Sequence, residues 1–135
     1  MKVNETLNKE GLHLRREFES MRDLIEEAAK LYDGKIAYSY RLNPRDKEAV
    51  KISFTQLRDD VRALATEFIA RGYDSKNCAL VAKLSYSWVC SYFALLIAGA
   101  TLVPLDKDWH GTDLADTVKK AEASYLIIDN DLSDK

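Results

Sequence analysis

The chain has 135 residues, of which 47% are hydrophobic and 31% charged, and its formal net charge is −2. That length suits one domain with its own core and is short for two, while five glycines and two prolines exclude low-complexity and collagen-like chains. The slightly acidic balance leaves no electrostatic footprint for nucleic acid, and no lysine–arginine run points to an anionic membrane surface.

No apolar run approaches the roughly 20 residues of a membrane span. The longest, Phe93 to Ala98, is bounded by Ser91, Gly99 and Thr101. The N-terminus has no apolar stretch of the secretory kind, so the expected location is cytoplasmic. Cys78 and Cys90 lie in apolar segments with no Cys-x-x-Cys spacing, and read as small core residues.

In chain order, residues 1–19 form a lead-in whose first dozen positions show no clear period, and residues 20–135 form the α/β unit. Leu14, Phe18, Met21, Ile25, Ala28 and Tyr32 recur at helical spacing. Alternatively, Ser20 followed by Asp23 is a fresh N-cap that confines the helix to Met21–Leu31. Asp33 and Gly34 end it in either case. Ile36 to Arg41 and Val50 to Phe54 alternate with period two around a polar loop, which predicts an antiparallel hairpin with Ile36, Tyr38 and Tyr40 on the buried face. Ser53 and Gln56 have capping-box spacing for a helix carrying Leu57, Val61, Leu64, Ala65 and Phe68, stopped by Gly72.

The centre of the chain, Cys78 to Asp106, reads as a buried strand over Cys78–Lys83, a helix over Tyr86–Ala98, a glycine stop at Gly99 and a second strand closed by Pro104. Two short apolar strands joined by a helix are expected to be parallel. A polar connection, a short helix from Asp113 to Ala121 and a strand from Tyr125 to Asp129 follow. The predicted fold class is α/β: an N-terminal hairpin, then β-α-β units forming part of a mostly parallel sheet. A doubly wound sheet would be expected to continue beyond the last strand.

The candidate chemistry is thin. The turn Lys83-Leu84-Ser85-Tyr86-Ser87, where an open α/β sheet would hold a phosphate, has no glycine, and the scattered glycines allow neither GxGxxG nor GxxxxGK. Asp106, Asp108, His110 and Asp113 are a conceivable metal cluster, but with one histidine they read more simply as turn and cap residues. Ser85, Ser87 and Ser91 lack a nucleophile elbow, and neither His13 nor His110 has a spacing that pairs with them. Tyr86, Trp88, Tyr92 and Phe93 either line an apolar pocket or build core, core being the simpler reading. Trp109, in a polar loop, folds back on the sheet or meets a partner.

Three segments, residues 22–40, 52–73 and 77–106, resemble the N-terminal part of the adenylate-forming (AMP-binding) acyl-CoA synthetases, whose relatives include luciferases and nonribosomal-peptide adenylation domains. ISFTQL is similar to the family's Leu-Thr-Tyr-x-Glu-Leu, with Phe54 for the tyrosine and Gln56 for the glutamate; LLIAGATLVPLD is similar to Leu-Lys-Ala-Gly-x-x-x-Val-Pro-Leu-Asp, with Ile97 in the lysine's place. In overall texture the resemblance is strongest to long-chain fatty acid–CoA ligases.

The resemblance implies attack of a carboxylate on ATP, with magnesium, to give acyl-AMP and pyrophosphate, followed by acyl transfer to coenzyme A. It also implies that the family's phosphate loop, ribose aspartate and catalytic lysine fall beyond position 135. No catalytic, cofactor-binding or metal residue is therefore assigned within the chain, and no cofactor is expected to be bound by this segment alone. The expected partners are the rest of its own adenylation domain and a small carboxylic acid, fatty in class by resemblance. The alternatives are an aryl or amino acid substrate, or a free-standing α/β interaction module that self-associates through an exposed sheet edge.

Overall fold

A computed structural model of the chain describes residues 16–132. The lead-in positions before Arg16, His13 and Leu14 among them, lie outside the described residues.

Helix α1 spans Met21–Leu31, as the capped alternative predicts: Ser20 is extended and its Oγ accepts from the Asp23 amide at 3.1 Å. The stripe buries Ile25 and Ala29, one position on from the expected Ala28, because the two lie one turn apart on the inward face. Phe18 and Met21, upstream of and at the cap, remain exposed.

Strands β1 (Ile36–Tyr40) and β2 (Val50–Ser53) pair antiparallel, with Tyr38 opposite Ile52 and Tyr40 opposite Val50. Between Ile36 and Tyr38 the register shifts, so two steps along β1 answer one along β2. A one-residue shift reverses which side faces the core. Ile36 is accordingly 49% exposed, against the expectation from alternation.

Helix α2 spans Phe54–Ala70. Ser53 caps it by accepting from the Gln56 amide at 3.0 Å, but the Gln56 side chain turns away to Asp60, so only half of the capping box forms. Phe54 is the first helical residue rather than the last of the strand, and its amide bonds back to the Lys35 carbonyl. Gly72, at φ +80°, ends the helix: Tyr73 N–H reaches the Phe68 carbonyl and Gly72 N–H the Ile69 carbonyl, a Schellman closure.

Strand β3 (Asn77–Val81), helix α3 (Tyr86–Ile97) and strand β4 (Thr101–Pro104) make the β-α-β unit. Helix α4 (Gly111–Lys120) starts two residues before the predicted Asp113, its N-cap position being His110, whose side chain makes no capping bond. Strand β5 (Tyr125–Ile128) and a 3-10 turn (Asn130–Leu132) complete the described chain. The sheet order is β4-β3-β5, all parallel. β3 is central, and Cys78 to Val81 are buried, which explains why its sequence is continuously apolar instead of alternating. The core is Val61, Ala65 and Phe68 of α2 packed on Cys90, Ala94 and Leu95 of α3, with Cys78 of the sheet beneath.

Candidate functional site

Parallel strands place the residues that follow β3, β4 and β5 at one end of the sheet. In an open α/β fold that end is where ligands bind. After β3, Ser85 Oγ caps α3 by accepting from the Trp88 amide at 3.2 Å. The amide of Lys83 donates to Asp129 Oδ2 at 2.7 Å, and its ammonium is ion-paired with Asp131. That pairing lowers the carboxyl of Asp131 and raises the ammonium of Lys83, in each case chiefly through the hydrogen bond between them. The residues here do not fit a nucleotide phosphate: the turn has no glycine, and a carboxylate already holds the Lys83 N–H.

After β4, Asp106 Oδ1 accepts from the Asp108 amide at 2.9 Å, and Lys107 pairs with Asp108 at 2.5 Å. These are turn contacts. Among the described residues no group of three or more His, Cys, Asp or Glu side chains is placed to hold a metal ion. Trp109 is 43% exposed, its amide bonding to the Asp106 carbonyl.

The four aromatics of α3 divide. Trp88 stacks on Tyr92 at 5.2 Å and Tyr92 meets Phe93 edge-on at 5.5 Å. Tyr86 instead faces the hairpin, its ring 5.6 Å from Tyr38 and 6.2 Å from Tyr40, and its hydroxyl donates to Asp60 Oδ2 at 2.6 Å. Asp60 Oδ1 accepts from Gln56 Nε2 at 2.7 Å. Burial, and next the bond to Asp60, push the Tyr86 phenol far above the usual tyrosine range. Sequence reasoning passed over this network. The available signal was an acidic residue, Asp60, on the inward stripe between Leu57 and Leu64.

Cys78 and Cys90 are free and buried. Burial pushes the Cys78 thiol up to about 11 and raises Cys90 as well, so neither is a thiolate at neutral pH. A groove of about 250 Å³ lies between α1, α2 and α3, lined by Ile25, Ile69 and Ile97 among others, with a Glu26–Arg62 ion pair at 2.5 Å on its wall.

The two-stranded hairpin and the parallel sheet of order β4-β3-β5 match the fold of the N-terminal subdomain of adenylate-forming enzymes. The long-chain-fatty-acid-CoA ligase FadD1 of Archaeoglobus fulgidus matches it with a TM-score of 0.79 at 21% identity, over 90% of this chain and 25% of that one. The N-terminal subdomain of Klebsiella oxytoca NpsA, in complex with 3-hydroxyanthranilyl-AMSN, matches with a TM-score of 0.73 at 20% identity, over 84% of this chain and 28% of that one. The model of the AMP-binding enzyme family matches residues 25–135, and the chain belongs to that family. A curated relative, the 3-[(3aS,4S,7aS)-7a-methyl-1,5-dioxo-octahydro-1H-inden-4-yl]propanoyl:CoA ligase of Rhodococcus jostii (strain RHA1), is 30% identical over 83 residues, 58% of this chain. The aligned part is 16% of that relative's length.

Proposed function

We propose that this chain is the N-terminal part of an AMP-forming acid–thiol ligase, and that within it these residues are scaffold: they build the first layer of the sheet and carry no step of the reaction. On this reading the whole enzyme works in the cytoplasm. It joins a carboxylic acid to AMP from ATP with magnesium, then passes the acyl group to coenzyme A. The observation that carries the reading is the family match over residues 25–135, together with the β3-α3-β4 unit that holds Gly99 and Pro104 in the second motif. The Rhodococcus jostii ligase and the Archaeoglobus fulgidus fatty-acid ligase support a CoA-dependent enzyme with an aliphatic substrate. The NpsA complex favours a second reading, an aryl acid.

Acid-dependent exchange of labelled pyrophosphate into ATP, measured on the product of the complete reading frame with panels of fatty, aryl and amino acids, tests both. Exchange with fatty acids supports the first reading and exchange with aryl acids the second. No exchange with any acid contradicts the ligase assignment.

A further inference from the structure

The crevice between the carboxyl ends of β3 and β5 is the switch point of this sheet. The chain leaves β3 for β4 on one side and returns to β5 on the other. That position in an open α/β sheet ordinarily takes a phosphate-bearing ligand, and the family's name implies a nucleotide. We propose that the chain's own carboxylates close this crevice to phosphates. Asp129 occupies the acceptor position on the Lys83 amide and Asp131 neutralises the Lys83 ammonium.

Three features argue for closure. A phosphate is held by backbone N–H groups that have no other partner, usually in a glycine turn. Here the Lys83 N–H is held by Asp129 and the Trp88 N–H by Ser85 Oγ, at 2.7 and 3.2 Å, and the turn between them, Leu84 to Ser87, has no glycine. A phosphate also needs a positive field, and the lysine of this turn is already paired, with two carboxylates beside it. An incoming dianion would have to displace Asp129 from a charge-assisted hydrogen bond and then remain next to the carboxylate it displaced. Finally, the clasp joins residues 46 and 48 positions apart, and the Asp129 amide bonds to the Val81 carbonyl, so the end of β5 is tied to the start of the β3–α3 turn from both sides. The backbone rung holds Asp129 in place beside the Lys83 amide. The phosphates of a nucleotide substrate are then held by residues outside 16–132.

The test is nuclear magnetic resonance on the full 135-residue chain, following the amides of Lys83, Leu84 and Ser85. In Asp129→Asn, which replaces the charged acceptor by a neutral amide, the Lys83 amide resonance should move from its position in the unaltered protein. Inorganic phosphate, pyrophosphate and magnesium ATP, each added to the unaltered protein at neutral pH, should leave the three amides in place. A saturable shift with any of the three overturns the closure. A Lys83 amide whose resonance is unchanged in Asp129→Asn overturns the clasp itself. Neither result depends on which acid the enzyme activates, so a failure here is distinguishable from a failure of the ligase assignment.

Discussion

Tyr86 Oη donates to Asp60 Oδ2 at 2.6 Å, a bond from the first residue of α3 to the inward side of α2. The Tyr86 ring at the same time packs against Tyr38 and Tyr40 of the hairpin. One side chain therefore ties together the two helices of the core and the separate two-stranded sheet.

Tyr86→Phe keeps the ring packing and removes the donor, leaving one carboxylate oxygen of Asp60 without its partner. Losing one partner of a partly buried pair costs about 1–2 kcal/mol. Urea unfolding should show that loss, and in the Asp60→Ala background the same substitution should cost less, because the bond is already absent. Equal costs in both backgrounds would mean that the bond contributes nothing.

The raised phenol of Tyr86 and the raised thiol of Cys78, at about 11 against an ordinary 9.0, set an alkaline limit. Both groups are neutral when protonated, and the folded state favours that form. Their contribution is fully present below the unfolded values, near pH 9 for the thiol and about 10 for the phenol, and is lost as pH rises towards the folded ones. Stability should fall above about pH 9. Unfolding midpoints measured from pH 7 to 11 check this, and Tyr86→Phe should flatten the upper part of the slope. The same burial predicts that a thiol reagent at pH 8 reacts slowly with the native chain and rapidly with both cysteines in urea.

Gly99 has φ +81°, and a Cβ there would overlap the Asp74 carboxylate. Its neighbours are fixed by the Ala100 N–H to Leu95 carbonyl bond and by Ser75 N–H to the carbonyl of Gly99 itself. Gly99→Ala should destabilise by about 1 kcal/mol or more, the left-handed conformation alone costing about 1 and the Asp74 carboxylate having to turn aside as well. Adding Asp74→Ala should recover the part due to overlap but not the part due to conformation, as denaturant titration of the single and double variants would show.

Glu122 sits at φ +49°, where α4 closes with the same hydrogen-bond pattern that Gly72 and Gly99 make for α2 and α3. A glycine there removes the strain of a Cβ in the left-handed region. Glu122→Gly should raise stability by about 0.5–1 kcal/mol. A lower melting temperature would show that the glutamate side chain contributes more than its backbone costs.

Much of this architecture was legible because the signals were local. Ser20 and Ser53 announce helix starts within three residues, Gly72 and Gly99 announce helix ends, and the unbroken apolar run of Cys78 to Val81 marks a strand covered on both faces. What could not be read depends on partners far along the chain. The register shift that exposes Ile36 needs β2 to be in place, and Glu122 takes a left-handed conformation without the glycine that would advertise it. At the candidate site, the glycine-free turn after β3 was plain from the sequence. That Asp129, 46 residues away, would hold its first amide was not, since nothing local in either segment points to the other. The Tyr86–Asp60 bond, spanning 26 residues, escaped for the same reason.

On the proposed reading these residues are the scaffold of an acid-activating enzyme and do not themselves perform the activation. Labelled pyrophosphate exchange into ATP by the purified 135-residue chain, supplied with magnesium and with fatty and aryl acids, tests it most directly. Exchange is expected to be no faster than in the absence of protein. Acid-dependent exchange by this chain alone would contradict it.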